Sequence, residues 1–194
     1  MAEPRHRLSA EEYLAFERQS EERHEYLDGE VFAMTGASLR HNRIIWNLVG
    51  TLAPQLRGRP CEAFIADMRI QVAATGLYTY PDLVVVCGEP RLADAYLDTL
   101  LNPTLIVEVL SPSTEATDRG RKFAHYRTLE SLAEVVLVAQ ERVQVERYSR
   151  QPEGGWLLFE ANRLEDRLLL PAIGCELPLA DLYETVFDGT SPPV

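Results

Sequence analysis

The chain has 194 residues, of which 46% are apolar and 25% charged, and this is ordinary for a soluble globular protein with one substantial core. No apolar run approaches the ~20 residues needed to cross a bilayer, and the first residues lack the apolar stretch of a secretory signal, so a cytoplasmic protein without a membrane partner is expected. The net charge of −11 opposes nonspecific binding to phosphate backbones, so any nucleic-acid role needs a locally basic face, a metal-filled acidic site or a basic partner.

In chain order, Ser9-Ala10-Glu11-Glu12 has the form of a capping box and predicts a short helix running to about Gln19. His24 to Thr35 reads as two short strands around Asp28-Gly29, a pair suited to a turn with positive φ at both central residues. A second helix is expected from Ser38 to Leu56, with Ile44, Ile45, Leu48, Val49 and Leu52 at helical spacing. Cys61–Ile65 and Arg69–Ala73 read as strands, and Tyr80–Cys87 as a strand buried on both faces. Residues 88–103 are expected to form a polar loop with a helical turn.

Leu105-Ile106-Val107-Glu108-Val109-Leu110, entered from Thr104, is a second buried strand. Ser111-Pro112-Ser113-Thr114 ends it and caps a helix from about Glu115 to Leu129. Ala133–Ala139, Arg142–Ser149 and Trp156–Asn162 follow as strands, the last two joined by Gly154-Gly155, and a short helix is expected at Leu179–Thr185. Residues 1–194 are expected to form a single mixed α/β domain, with flexible tails at 1–7 and 189–194. The three cysteines, Cys61, Cys87 and Cys175, are widely spaced and lack a CxxC pair, which points to reduced thiols.

Three residues carry chemistry. Glu108 interrupts an apolar strand, and a carboxylate there costs several kcal/mol to desolvate unless it is paired, protonated or metal-bound. Asp82 opens the other buried strand after Pro81. If the two strands are neighbours, the carboxylates converge at one end of the sheet as a hard-cation site for Mg²⁺ or Mn²⁺. Lys122 is the only lysine, against eighteen arginines. An ammonium can be driven toward neutrality by burial, whereas a guanidinium almost never loses its proton. Asp118, Lys122 and Tyr126 stand at i, i+4 and i+8 and share a helix face.

The ordered set Tyr80-Pro81-Asp82-Leu83-Val84-Val85-Val86, Ile106-Val107-Glu108-Val109-Leu110-Ser111-Pro112-Ser113-Thr114 and Asp118-x-x-x-Lys122-x-x-x-Tyr126 resembles the Uma-two family of restriction endonuclease-like proteins. Glu25-Tyr26-Leu27-Asp28-Gly29-Glu30 and His41 match the same pattern, and the resemblance runs from about Ser9 to Phe187. It implies the PD-(D/E)XK nuclease fold, an α/β (α+β) restriction endonuclease-like core with a central mixed β-sheet flanked by helices. It also implies a Mg²⁺- or Mn²⁺-dependent endodeoxyribonuclease acting on DNA. Apart from the resemblance, the strands late in the chain offer a surface on which a homodimer is a further expectation. Asp82 and Glu108 take the metal-binding positions, Val109 lends its backbone carbonyl, and Glu25 matches an N-terminal acidic residue. The lysine that usually stands two residues after the glutamate is replaced by Leu110, and Lys122 takes its role, orienting or deprotonating the attacking water.

Other readings stand beside these. Glu108 and Lys122 can form a buried ion pair that fixes the helix on the sheet, and Asp82 can be a strand-start residue accepting a turn hydrogen bond. Glu25 can be a surface or salt-bridged glutamate, His41 a capping, stacking or packing residue, and Tyr126 a residue that packs or hydrogen-bonds a site residue rather than reacting. Arg119 and Arg121 are either solvated or phosphate-holding, and Trp46 and Trp156 are expected in the core. At the level of function, the alternatives are a non-catalytic nucleic-acid- or protein-binding module of the same fold, or a metal-dependent hydrolase of a small phosphorylated substrate.

Overall fold

The computed structural model describes residues 7–34, 36–112 and 115–187. The two expected tails lie outside the described residues except for Arg7, and so do Thr35 at the end of the expected hairpin and Ser113-Thr114 of the expected cap.

Helix α1 (Ala10–Glu17) starts at Ser9, whose side chain and that of Glu12 make both bonds of the capping box. It turns Tyr13 and Glu17 inward. Strands β1 (His24–Leu27) and β2 (Glu30–Ala33) form the expected hairpin, with Asp28 at φ 50° and Gly29 at φ 85°. Helix α2 (Leu39–Leu56) is capped by Ser38 and buries Ile44, Leu48, Leu52 and Leu56, a stripe at four-residue spacing. Trp46 lies off that stripe and is 77% exposed, so its expected place in the core is corrected.

The remaining strands are β3 (Cys61–Ile65), β4 (Arg69–Val72), β5 (Leu77–Thr79), β6 (Leu83–Cys87), β7 (Thr99–Leu100), β8 (Leu105–Leu110), β9 (Glu134–Ala139), β10 (Val145–Arg150), β11 (Trp156–Ala161), β12 (Arg167–Leu170) and β13 (Cys175–Pro178). β7 lies within the stretch read as loop, because a two-residue strand carries no periodicity of its own. The helical stretch after β8 is divided into α3 (Glu115–Thr117), a π-helical turn (Asp118–Lys122) and α4 (Phe123–Tyr126), and α5 spans Leu179–Leu182.

The larger sheet has the order β11-β10-β9-β8-β6-β3, antiparallel except for the parallel β8–β9 pair. Parallel neighbours need a long crossover, and the α3–π–α4 segment is that crossover. A second sheet has the order β2-β1-β5-β4-β7, and β12–β13 form a separate hairpin.

Strict alternation along β6 and β8 divides the core. Leu83, Val85, Leu105, Val107 and Val109 pack with the α2 stripe, α5 and the β12–β13 hairpin. Val84, Val86, Ile106 and Leu110 pack with Ile70, Val72, Leu77 and Leu100 of the second sheet and with Tyr126, Leu129 and Leu132. Both faces of the central strands are covered, which is why they read as continuous apolar runs. The same alternation turns Glu108 toward the second sheet and the crossover.

Cys61 and Cys87 stand opposite each other in the β3–β6 register and form a disulfide, which overturns the reduced-thiol expectation for this pair. Their separation of 26 residues hides a pairing that only the strand register creates. Cys175 is a free, buried thiol as expected.

Candidate active site

Asp82 lies one residue before β6. Leu83 pairs with Val107, so extending the antiparallel register by one residue sets Asp82 opposite Glu108. The two carboxylates expected to converge are therefore brought to the same end of neighbouring strands. Asp82 is held from two sides: Oδ2 accepts a 2.7 Å hydrogen bond from the Val109 N–H, and Oδ1 lies 3.0 Å from His41 Nε2. The N–H and C=O of a strand residue share one edge, so the Val109 carbonyl faces the same side as Asp82.

His41 has a second role, since its backbone N–H is capped by Ser38 in the first turn of α2. His41 itself does not cap the helix, since Ser38 does, and its contact with Asp82 was not legible in the sequence because it depends on how α2 packs across the end of β6. Among the described residues the ring's Nδ1 is buried without a hydrogen-bond partner.

Glu108 is 4% exposed, and its Oε1 accepts a 2.5 Å hydrogen bond from the Tyr126 hydroxyl. Lys122 Nζ lies 3.4 Å from the same oxygen, 2.8 Å from Glu25 Oε1 and 3.5 Å from Asp118 Oδ1. The Glu108–Lys122 ion pair weighed in the sequence is thus present, but the shortest ion pair of the ammonium is to Glu25. Glu25 is tied in turn by the Thr79 hydroxyl at 2.5 Å.

The π-turn explains how one helix supplies three of these groups. Four residues of α-helix over-rotate a full turn by about 40°. A wider i→i+5 turn, closed here by the bond from Phe123 N–H to Asp118 O, under-rotates and offsets that drift. Asp118, Lys122 and Tyr126 consequently stay in line over Glu108.

Burial is the main force pushing the Glu108 carboxyl well above the usual range. Lys122 opposes it, and Asp82 and Asp118 add to it. Burial alone would lower Lys122, but Glu108, Tyr126, Glu25 and Asp118 outweigh it and hold the ammonium well above its ordinary value. Burial and Glu108 likewise raise the Tyr126 hydroxyl, which keeps it a donor.

Arg119 is engaged by Glu115 at 3.0 Å and by Glu146, whereas Arg121 is exposed. Trp156 lies at the rim of the second core, edge-on to Phe123.

The donor set fits a hard divalent cation. Carboxylate oxygens from Asp82 and Glu108 and the Val109 carbonyl are oxygen ligands of the kind Mg²⁺ and Mn²⁺ prefer. Among the described residues no three His, Cys, Asp or Glu side chains are grouped as a ready-made metal cage. Three carboxylates, those of Glu25, Glu108 and Asp118, lie within 3.5 Å of the Lys122 ammonium.

Among the described residues no helix is long and apolar enough to cross a membrane. A family model described as "Putative restriction endonuclease" matches residues 10–180. Two uncharacterized proteins of Synechocystis are similar: one is 40% identical over 153 residues, 79% of this chain and 86% of the relative. The other is 39% identical over 177 residues, 91% of this chain and 92% of the relative. A crystal structure from Anabaena variabilis, described as a "putative nuclease", superposes with a TM-score of 0.73 at 19% identity, covering 93% of this chain and 99% of that one. The shared architecture is the restriction endonuclease-like α/β fold. With a match across most of its length and relatives near 40% identity, the chain belongs to the Uma2 family.

Proposed function

We propose that this protein is a Mg²⁺- or Mn²⁺-dependent nuclease that hydrolyses phosphodiester bonds in DNA. The observation that carries the reading is the meeting of Asp82 and Glu108 at one end of the central sheet, with Lys122 set among Glu25, Glu108 and Asp118. Membership of the Uma2 family supports it.

Asp82, Glu108 and the Val109 carbonyl would hold the ion. When bound, such an ion polarises a phosphate and makes water a better nucleophile near neutral pH. The protein's own groups do the rest. The Val109 N–H and His41 fix the Asp82 carboxylate, and the Tyr126 hydroxyl fixes Glu108. Lys122, held in its charged form, serves as a hydrogen-bond donor that orients the water and stabilises charge growing on the phosphate oxygens. This favours the orienting role over deprotonation of the water.

A homodimer formed through β11 belongs to the same reading. β11 is an edge strand of the larger sheet, and Leu157, Leu158 and Phe159 are exposed along it. Antiparallel self-pairing centred on Leu158 would place Leu157 against Phe159 and Trp156 against Glu160, satisfying open backbone groups and apolar side chains together.

The test is a plasmid-cleavage assay in Mg²⁺ and Mn²⁺ beside a chromogenic small-phosphodiester assay. Wild type is expected to nick DNA, and Asp82→Asn, Glu108→Gln and Lys122→Arg to lose the activity while keeping the wild-type circular dichroism spectrum. Undiminished cleavage in all three variants would sink the proposal. Hydrolysis of the small ester alone would point to the small-substrate reading instead.

A further inference from the structure

The β1–β2 register pairs Glu25 with Phe32, and directly opposed residues project from the same face of a sheet. On the other side of β1, Tyr26 pairs with Tyr78, so Thr79 stands beside Glu25, and its hydroxyl bonds to that carboxylate. Thr79, Glu25 and Phe32 therefore form one row across β5, β1 and β2. Its direction is fixed by Leu27, two residues beyond Glu25 on the same face, which packs against the second core. Thr79 at the inner end is fully buried, Glu25 touches Lys122, and Phe32 at the outer end is 43% exposed. Met34, the next residue on that face, is 38% exposed, and β2 is the edge of its sheet. An aromatic ring and a thioether thus lie about one side chain's width from the Glu25–Lys122 contact.

The charges around the site favour one kind of occupant. Duplex binding relies on basic side chains free to neutralise phosphates. Here Arg23 is paired with Asp67, Arg40 with Glu141, and Arg119 with Glu115 and Glu146. Arg121 is exposed on the crossover and can still meet a phosphate, but with the other guanidiniums engaged charge supplies little of the affinity. Stacking of a base on an exposed aromatic ring supplies it without sequence preference, but only if the base is unpaired.

We infer that Phe32, flanked by Met34, is the base-stacking element of the substrate site, and that the substrate strand is unpaired where it crosses the Glu25–Lys122 contact. The inference rests on the nuclease reading and narrows it to single-stranded, flapped or locally opened nucleic acid.

The experiment measures binding of a fluorescent ten-nucleotide oligothymidylate, and of a duplex of equal length, to the full chain in Ca²⁺ by anisotropy. Wild type should prefer the single strand. Phe32→Ala should weaken single-strand binding roughly tenfold or more and change duplex binding little. Phe32→Trp should restore the affinity, with indole emission quenched by the oligonucleotide beyond any change seen in wild type. Single-strand binding by Phe32→Ala equal to wild type, or equal losses for strand and duplex, would overturn the inference and leave the nuclease reading intact. Absence of binding to either nucleic acid by wild type would remove both.

Discussion

Lys122→Met removes the one ammonium in the group of carboxylates, and its effect on stability follows from the distances. For unit charges 3.4 Å apart, the Glu108–Lys122 separation, an effective dielectric of about 20 gives roughly 5 kcal/mol. Removing the lysine also removes its own desolvation cost, so the net loss is about 3 kcal/mol, at the lower end of the range for breaking a buried pair. The loss depends on pH with a definite sign. Glu108 has its folded-state pKa raised above the unfolded value, so the fold favours the neutral acid and loses stability as pH rises through that interval. Lys122 is the cause that opposes this rise, and without it the loss extends to higher pH. Urea titrations in EDTA, followed by circular dichroism, should show the full deficit at pH 8.5 and a clearly smaller one at pH 6, where Glu108 is protonated in both proteins. A deficit below about 0.5 kcal/mol at pH 8.5, or an equal deficit at both pH values, would refute the placement of the ammonium beside Glu108.

Two further perturbations test other parts of the molecule. Asp98 receives Arg18 at 2.8 Å and Arg69 at 2.9 Å, and the Arg18 hydrogen bond is the main cause holding its carboxyl well below the usual range. Its stabilising contribution is present above the ordinary aspartate pKa and lost on acidification, so Asp98→Asn should cost about 1 kcal/mol at pH 7, discounted for its partial exposure. The cost should fade below about pH 3 in the same urea titration. At the other edge of the molecule, Leu158→Lys should convert a dimer to a monomer in analytical ultracentrifugation without changing the circular dichroism spectrum. A monomeric wild type at high micromolar concentration would remove β11 as the interface.

Local chemistry made much of this fold legible. The capping box at Ser9–Glu12, the Asp28-Gly29 turn and the Ile44–Leu48–Leu52 stripe are interactions among residues a few positions apart, and each appears where the residues indicate. The helix expected from Glu115 to Leu129 was right in position but not in form, because the advantage of a π-turn lies in bringing Asp118 and Lys122 to Glu108, a residue on another element. Trp46 looked like core by residue type, yet its place on α2 falls off the buried stripe. The β12–β13 hairpin is too short for its period-two alternation to stand out, and its burial comes from α2 and α5 across the core.

By itself the sequence determined the candidate chemistry: a solitary lysine, a carboxylate inside an apolar strand and another at a strand opening, together with the family pattern. Residue type and local periodicity carry those signals because desolvation cost and backbone preference act wherever the residue sits. Only the tertiary structure decided what meets what. It put Asp82 opposite Glu108 through an antiparallel register, brought Glu25 of a different sheet to Lys122, seated His41 on Asp82 and joined Cys61 to Cys87. These contacts span long stretches of chain, and their geometry is set by strand order and packing, which no short segment encodes. The lysine's protonation was decided there too, since its charge is held by carboxylates from three separate elements.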